Sequence, residues 1–318
     1  MNRLFIFKLV FLFFSVFTSS LLRASDTIRV EKVTLSDWSA YVHFPSSQKL
    51  LPAIITLGGA EGGFSFTEAE AKLIVNEGFI VMRLGYFKYS KNTKKQTLKE
   101  IRIEKVMEAI DWLKKNNSVD STKIGLLGIS KGAELALIVA SKTNSVKAVA
   151  AHVPSHVVWC GIGKWTALNK SSWSWQGEPI PFLPYAKPKS GWFTKRIAEF
   201  YEAGIKTYPE KIPLSAISVE NIAGPILISS GGKDDIWPSA FMAFEIEKRL
   251  QDKKFIHEVK HLHFPEAGHL IFGPLLRQND EKSMNASSPG GGSLFNNNIA
   301  RQKTWHETFS FFRKVFYK

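Results

Sequence analysis

Short apolar runs alternate with amphipathic helical stretches along most of this 318-residue chain, and this alternation constrains its fold most strongly. Residues 51–57 (LPAIITL), 79–84 (FIVMRL) and 123–127 (KIGLL) have the continuous hydrophobicity of strands buried on both faces. Helical periodicity lies between them, at 67–76 and 98–113. Because strand–helix–strand units pair their strands in parallel, the pattern predicts an α/β fold with a mostly parallel sheet and helices on both faces.

The same alternation continues on both sides of this region. Residues 26–44 predict short antiparallel strands ahead of the core. Toward the C-terminus the pattern predicts strands at 146–153, 225–229 and 255–264, and helices at 131–141, 240–251 and 300–316. The sequence therefore predicts one domain over residues 25–318.

Two stretches depart from the alternation. Residues 154–222, called the insertion below, hold Pro179, Pro181, Pro184 and Pro188 together with five of the nine tryptophans: Trp159, Trp165, Trp173, Trp175 and Trp192. Because long loops inside compact domains are usually functional, we expect the insertion to form a lid over the C-terminal edge of the sheet. The alternative is a structural insertion whose aromatic side chains fill a small core of their own.

The second stretch that departs from the alternation is residues 278–298. Their composition predicts a flexible polar loop, to which no binding role is assigned.

The N-terminus has the pattern of an export signal. Arg3 and Lys8 precede the apolar run Leu9–Phe17, and small residues follow, with Ala24 near their end. This order matches a positive region, a short hydrophobic region and a cleavage zone, and it predicts a signal peptide over residues 1–24. The expected location is secreted or periplasmic. An uncleaved membrane anchor is the alternative, although the apolar run is shorter than a bilayer requires.

Composition excludes several kinds of site. The single cysteine, Cys160, excludes an intrachain disulfide and a thiolate zinc cluster. The formal charge of +14 raises nucleic acid as a partner, but the lysines and arginines are dispersed rather than clustered in a stripe. We therefore expect no nucleic-acid partner. His261 and His263 alternate on a strand and could chelate a metal, but no third ligand accompanies them, so we expect no metal or cofactor.

The motif Gly128-Ile129-Ser130-Lys131-Gly132 lies directly between a predicted strand and a predicted helix. This G-x-S-x-G context is typical of a nucleophilic serine on a tight, strained turn at the top of a sheet. Its glycines are needed because side chains at those two positions would collide with neighbouring backbone. An ordinary strand–helix turn is the alternative. The sequence predicts Ser130 as the nucleophile.

A serine hydroxyl needs a base that is oriented by a third group. Asp234 and Asp235 follow the strand that ends at residue 229, and His269 follows the last strand, so all could reach the sheet edge that carries Ser130. We choose Asp234 as the acid because a loop turning away at Pro238 would leave the earlier carboxylate over the sheet. His269 is the predicted base. The order Ser, Asp, His is that of hydrolases built on such a sheet.

Stabilising an oxyanion requires preorganised N–H donors, usually the amide after the nucleophile and one from the loop after an earlier strand. Lys131 supplies the first by position. The loop 58–63 (GGAEGG) follows an early strand, and we assign the second donor to Ala60, with Glu61 as the other candidate. Candidates for substrate contact are Glu61, His152, Trp159 and Trp237.

Several motifs together resemble the catalytic domain of the acyl-CoA thioesterase and bile acid-CoA:amino acid N-acyltransferase family. They are GFIVMRLGYF after the first helix, GISKGAELAL around Ser130, ISVENIAGPILISSG before Asp234, GGKDDIWPS around Asp234, and PEAGHLI around His269. The sequence is also similar, more loosely, to dienelactone hydrolases. The resemblance implies an α/β-hydrolase fold and acyl transfer from a small-molecule thioester or ester through an acyl-enzyme, with Ser130, Asp234 and His269 as the triad. Serine at the nucleophile favours hydrolysis within that family.

Two features depart from the family. Its larger members carry a β-sandwich before the hydrolase domain, whereas about 27 residues separate the predicted signal from the first core strand here. The predicted signal also directs the protein to where acyl-CoA is scarce. The alternatives are therefore a secreted serine peptidase, a dienelactone-hydrolase-like carboxylesterase, and an inactive secreted binding protein that contacts anionic envelope polymers.

Overall fold

The computed structural model describes residues 28–35, 37–47, 49–163, 169–192, 194–276 and 288–318. The predicted export signal at residues 1–24 lies outside these ranges, as does Trp165. Within the described ranges, no helix combines the length and the hydrophobicity needed to cross a membrane.

An eight-stranded sheet forms the centre of the molecule, and its strand order is β1-β2-β4-β3-β6-β7-β10-β11. These strands are β1 (Arg29–Leu35), β2 (Trp38–Phe44), β3 (Leu51–Leu57), β4 (Ile80–Gly85), β6 (Val119–Ile129), β7 (Ala148–His152), β10 (Ile226–Gly231) and β11 (Val259–Phe264). The pairs β1/β2 and β2/β4 are antiparallel, and every pair from β4 to β11 is parallel. The C-terminal ends of the parallel strands therefore meet at one edge of the sheet.

Helices cover both faces of this sheet, because its central strands have apolar side chains on both sides. The helices are α1 (Glu68–Val75), α2 (Glu104–Lys114), α3 (Lys131–Ala140), α4 (Ala198–Thr207), α5 (Ile212–Ser215), α6 (Ser239–Asp252) and α7 (Leu294–Phe316). One core packs α2, α3 and α6 against the sheet, and the core on the opposite face packs α1 and α7. The prediction of a mostly parallel sheet between two helical layers is confirmed.

The structure corrects two of the predicted helices. The helix predicted over 98–113 begins only at Glu104, because the short strand β5 (Ile101–Arg102) precedes it and pairs with a strand of the insertion. The last helix begins at Leu294 rather than at residue 300, with Ser293 as its N-cap: the Ser293 side chain accepts a hydrogen bond from the amide of Asn296. The end of the predicted polar loop at 278–298 is therefore helical.

The insertion contains the strands β8 (Trp173–Trp175) and β9 (Glu178–Pro179) and the helices α4 and α5. The strands β5, β8 and β9 form a second, three-stranded sheet. Some of the insertion's aromatic side chains fill a small core of their own, in which Trp159 and Tyr201 pack with Trp237 from the main domain. Other aromatic residues of the insertion line a cavity beside Ser130, as described below.

Candidate active site

Ser130 lies at the junction between β6 and α3 with a strained backbone, φ 56° and ψ −121°. A non-glycine residue in this region is costly, and such strain concentrates at functional positions. The flanking glycines are required by close backbone packing. A Cβ at Gly128 would lie 2.2 Å from the carbonyl oxygen of Gly132, and a Cβ at Gly132 would lie 2.2 Å from that of Leu57. The turn therefore presents the serine at the C-terminal edge of the sheet.

Asp234 and His269 form a hydrogen-bonded pair at the same edge. His269 Nδ1 donates to Asp234 Oδ2 over 2.8 Å, which leaves the other ring nitrogen, Nε2, to act as a base. The second carboxylate oxygen, Oδ1, accepts the backbone amides of Ile236 and Trp237 at 2.9 and 3.2 Å. Asp234 is only 3% exposed, so these contacts fix its orientation. The imidazole is held in the tautomer that a general base requires.

The neighbouring carboxylate has different surroundings. The Asp235 side chain is 40% exposed, and its Oδ1 accepts a hydrogen bond from Arg196 Nε over 2.8 Å in a surface ion pair. Its backbone amide donates to the Gly290 carbonyl. The structure therefore places Asp234, and not Asp235, beside the imidazole.

The two residues expected to supply oxyanion donors both lie beside the serine. Ala60, Ser130 and Lys131 line one wall of the same cavity. The Lys131 amide belongs to the first residue of α3, where helical amides have no intrahelical acceptor. The glycine loop that carries Ala60 is held from two sides, because Tyr86 Oη donates to the Gly58 carbonyl over 2.6 Å and the Gly59 amide donates to Glu61 Oε1 over 2.9 Å.

The side chain of Lys131 points away from the cavity into the core. It is 1% exposed, and its Nζ donates to both oxygens of Glu134 at 3.0 and 2.8 Å. Glu134 also accepts the amide of Trp159 and the indole N–H of Trp173. Burial lowers the pKa of Lys131 and raises that of Glu134, while their mutual attraction opposes both shifts. This pair ties α3 to the insertion.

An apolar cavity of about 750 Å³ opens beside Ser130. Most of its wall comes from the insertion, through Ile162, Gly163, Tyr185, Trp192, Ile197, Phe200 and Tyr201. Ile236, from the loop after β10, completes it. A concave site with apolar walls and a few polar groups at one end is typical of a small-molecule pocket.

A second cavity, of about 570 Å³, shares Ala60, Ser130 and Ile236 with the first. Its described lining comes from the glycine loop, residues 65–70, residues 269–276 and residues 289–290, together with Ile129 and Arg301, and includes no residue of the insertion. His269 is part of this lining. The serine therefore stands between an apolar cavity and a more polar one.

The structure places the other expected substrate contacts behind the cavity walls. Trp159 is buried, and its indole donates to Ser155 Oγ over 2.9 Å. Trp237 is buried as well, donates to the carbonyl of Val153 and meets the His269 ring edge to face at 6.1 Å. Both residues therefore support the site from behind. Of the four residues expected to contact the substrate, Glu61 is the one that lines a cavity, namely the second cavity.

His152 does not fit the expectation of a substrate contact. It is fully buried, with Nδ1 2.9 Å from Ser229 Oγ and Nε2 3.3 Å from Thr308 Oγ1. Its ring stacks on Phe272 at 4.0 Å, and burial lowers its pKa to about 3. His152 ends β7, next to the serine turn, and this position suggested contact with the substrate. Its side chain instead lies between β10 and α7, where the neutral imidazole pairs with the hydroxyls of Ser229 and Thr308.

Sequence reasoning missed one backbone element of the site. Gly290, in the segment expected to be a flexible loop, accepts the amide of His269 over 2.9 Å, and a Cβ there would lie 3.0 Å from the His269 Cβ. The run Gly290-Gly291-Gly292, all at positive φ, was the available signal for close backbone approach.

His261 and His263, weighed as metal ligands, both contact Ser230 Oγ, at 2.7 and 3.0 Å. Among the described residues, no group of three or more histidine, cysteine or acidic side chains is arranged to hold a metal.

Comparison with protein families matches residues 101–318 to the C-terminal domain described as BAAT / acyl-CoA thioester hydrolase. The chain belongs to this family. Residues 39–159 also match the dienelactone hydrolase family. The family recognised from the motifs around Ser130, Asp234 and His269 is therefore confirmed.

Individual relatives agree with this membership. The chain is 31% identical over 282 residues to acyl-coenzyme A thioesterase 2, mitochondrial, of Rattus norvegicus, covering 86% of this chain and 58% of that protein. It is 27% identical over 290 residues to acyl-coenzyme A thioesterase 1 of Homo sapiens, covering 90% of this chain and 65% of that protein. The chain thus spans about three-fifths of the length of these relatives.

Solved structures agree on the fold. An acylaminoacyl peptidase of Pyrococcus horikoshii superposes with a TM-score of 0.59 at 16% identity, covering 92% of this chain and 42% of that one. A dienelactone hydrolase-like promiscuous phosphotriesterase from metagenomic libraries superposes with a TM-score of 0.53 at 13% identity, covering 91% and 99%. The predicted α/β-hydrolase fold is confirmed.

Proposed function

We propose that this chain is a serine hydrolase that cleaves acyl thioesters or esters through an acyl-enzyme, with Ser130, Asp234 and His269 as its triad. The observation that carries the proposal is the strained turn of Ser130 at the edge where Asp234 and His269 are hydrogen-bonded. The acyl-CoA thioesterase names of its relatives support a thioester or ester as the bond cleaved.

The proposed reaction begins when Ser130 Oγ attacks the acyl carbonyl carbon. His269 Nε2 removes the hydroxyl proton, and Asp234 stabilises the imidazolium that forms. The amides of Lys131 and Ala60 donate to the oxyanion. His269 then protonates the leaving sulfur or oxygen, and a water molecule, deprotonated by the same imidazole, releases the acid and regenerates the serine.

In this proposal, the acyl chain and the leaving group of the substrate occupy different cavities. The apolar cavity is the side for the acyl chain, because aromatic and aliphatic side chains form its walls. The second cavity, beside His269, is the side for the leaving group, because the base that protonates that group is part of its lining. An acyl chain of medium length, about 8 to 12 carbons, should then react faster than a short polar one.

A substrate panel tests the proposal. The purified chain and its Ser130→Ala variant are assayed against decanoyl-CoA, the shorter thioester decanoyl-N-acetylcysteamine, p-nitrophenyl decanoate and a peptide p-nitroanilide. We expect turnover of thioesters or esters and a loss of at least about 10⁴-fold in kcat for Ser130→Ala. Cleavage of the peptide alone would assign a peptidase, and no cleavage of any substrate would overturn the proposal.

We also propose that residues 1–24 export the protein. The support is the order of charges, apolar run and small residues at Arg3, Lys8 and Leu9–Phe17. N-terminal sequencing of the protein recovered from cell fractions tests this proposal. A shortened N-terminus in the periplasmic or extracellular fraction would support it, and a full-length cytoplasmic product would contradict it.

A further inference from the structure

One segment departs from the dispersed distribution of the basic residues. Residues 88–99 (KYSKNTKKQTLK) contain five lysines and no acidic residue. Lys88 is half-buried, and the other four are exposed: Lys91, Lys94, Lys95 and Lys99. None of the five forms an ion pair with another described residue. The segment therefore places positive charge on the surface that the described protein does not neutralise.

The acidic side chains beside this segment already have basic partners. Lys95 and Lys99 line a polar hollow that holds four basic and two acidic side chains. The two acids are Asp37 and Glu100, and each pairs with a basic side chain outside residues 88–99. The lysines of the segment thus remain available to an anionic partner.

Residues 88–99 border the apolar cavity beside the serine. Leu98 and Ile162 exchange backbone hydrogen bonds of 3.0 and 2.9 Å, and Ile162 lines that cavity. Gly163, which also lines it, packs against Thr97: a Cβ on this glycine would lie 2.6 Å from Thr97 Cγ2. The lysine-rich segment therefore lies directly behind one wall of the cavity.

A second segment along the cavity combines lysines with exposed apolar side chains. Trp192 and Ile197 line the cavity and are 52% and 50% exposed, so both also reach the protein surface. Residues 187–196 contain no acidic residue, and Lys187, Lys189 and Lys195 are exposed. We call residues 88–99 and 187–197 together the cationic rim.

The composition of the cationic rim favours one class of partner. Lysines beside a tryptophan and an aliphatic side chain are the groups with which peripheral proteins bind anionic bilayers. The ammonium groups attract the headgroups, and tryptophan partitions into the interface. A nucleic acid would engage the lysines, but it would leave unused the exposed Ile197 and the apolar cavity beside it. Charge and apolar surface are both used only by a lipid surface.

We propose that the cationic rim docks this protein onto an anionic lipid surface, with the apolar cavity beside the lipid. The interaction is one of binding and does not require hydrolysis. Combined with the proposed function, it would let an acyl chain pass from the lipid toward Ser130 without crossing bulk water.

Vesicle cosedimentation tests this proposal. The full chain is mixed with sucrose-loaded vesicles of phosphatidylcholine, either alone or with about 30% phosphatidylglycerol. We expect binding to the anionic vesicles and little to the neutral ones. Replacing the four exposed lysines of residues 88–99 by glutamine should weaken binding to the anionic vesicles about 100-fold. These changes are Lys91→Gln, Lys94→Gln, Lys95→Gln and Lys99→Gln in one variant.

A control variant loses the same charge elsewhere. It exchanges four exposed lysines that precede β3 or end α2 and α6, at the opposite edge of the sheet. They are Lys49→Gln, Lys114→Gln, Lys115→Gln and Lys253→Gln. Binding should weaken less than about threefold, because these side chains lie far from the docked surface. All variants keep the same N-terminus, so any contribution of the apolar run Leu9–Phe17 cancels.

A third variant tests the apolar part of the rim. Trp192→Ala should weaken binding to the anionic vesicles about tenfold and leave binding to a 20-nucleotide single-stranded DNA unchanged. Equal losses in the two lysine variants, no preference for anionic vesicles, or an unchanged affinity in Trp192→Ala would overturn the proposal. Tighter binding to the DNA than to the vesicles would also overturn it, in favour of a nucleic-acid partner.

The docking proposal and the proposed function can fail separately. The four exchanged lysines of residues 88–99 line neither cavity beside Ser130. Hydrolysis of p-nitrophenyl decanoate without vesicles therefore tests the function alone, and cosedimentation tests the docking alone. Hydrolysis without vesicle binding would overturn only the docking.

Discussion

The catalytic edge of the sheet and the insertion differ in what fixes their geometry. At the edge, glycines pack directly against backbone: a Cβ at Gly132, Gly231 or Gly268 would lie 2.1–2.2 Å from a carbonyl oxygen. In the insertion, a Cβ at Gly204 would lie 2.4 Å from the Pro184 carbonyl oxygen, but Gly177 and Gly191 have open space on that side, and most of the cavity wall consists of side chains. Close backbone contacts thus fix the catalytic edge, whereas side chains of the insertion shape the apolar cavity beside it.

The largest effect is expected from the acid at the edge. Asp234→Asn should lower kcat/KM by about 10³- to 10⁴-fold, because an amide no longer holds the imidazole in its working tautomer. Asp235→Asn, which removes only the surface ion pair with Arg196, should change kcat/KM by less than about threefold. Steady-state hydrolysis of decanoyl-N-acetylcysteamine measures both. Equal losses for the two variants would contradict the assignment.

Substitution of a glycine at the catalytic edge should lower the free energy of unfolding more than substitution of a glycine with open space in the insertion. Gly132→Ala forces a methyl group against the Leu57 carbonyl and should destabilise the fold by more than about 3 kcal/mol. Gly177→Ala meets no atom within 4 Å, and its cost should be limited to about 1–2 kcal/mol for a side chain at φ +84°. Urea unfolding followed by circular dichroism compares them. A smaller loss in Gly132→Ala than in Gly177→Ala would be the opposite of the expected order.

Preference for the length of the acyl chain should respond to the insertion. Phe200→Ala removes a half-buried ring from the apolar cavity and should lower kcat/KM for a decanoyl thioester about tenfold more than for a butanoyl thioester. Phe244→Ala removes an exposed ring on α6, outside the lining of both cavities, and serves as the control. Parallel losses on both chain lengths would show that this wall does not contact the acyl chain.

The smallest effect is expected at the start of the insertion. Burial lowers the pKa of His156 to about 4, below the usual value near 6.5, so the fold favours the neutral ring. The unfolded chain then binds more protons below pH 6.5, and the free energy of unfolding should fall by about 1 kcal/mol per pH unit toward pH 4 through this residue. His156→Phe should reduce the slope by that amount in urea titrations. An unchanged slope would show that His156 is protonated in the fold.

The sheet and the serine turn could be predicted from the sequence because each rests on local patterns. Continuous apolar runs identified β3 with its bounds as observed, and the motif around Ser130 required both its glycines and its strand–helix context. Asp234 was distinguished from its neighbour by the turn at Pro238. In the structure, Asp234 contacts the imidazole and Asp235 contacts Arg196.

The cavity walls could not be predicted, because they depend on contacts between residues distant in sequence. Trp159 and Trp237 were natural candidates for substrate contact, yet Tyr185 and Phe200 line the cavity. The short strand β5 was missed for the same reason: its pairing with β8 overrides the helical periodicity of the residues around it. The Gly290 carbonyl accepts the backbone amide of His269. A contact between backbone atoms does not depend on a particular side chain, so the glycine run was its only sign in the sequence.

Labelling with a fluorophosphonate probe, followed by peptide mass spectrometry, tests the central claim most directly. The probe reacts with a serine only when a base and an oxyanion site are assembled around it. We predict one labelled residue, Ser130, with labelling lost in Ser130→Ala and strongly slowed in Asp234→Asn. Labelling at another serine, or none at Ser130 in the folded protein, would contradict the account.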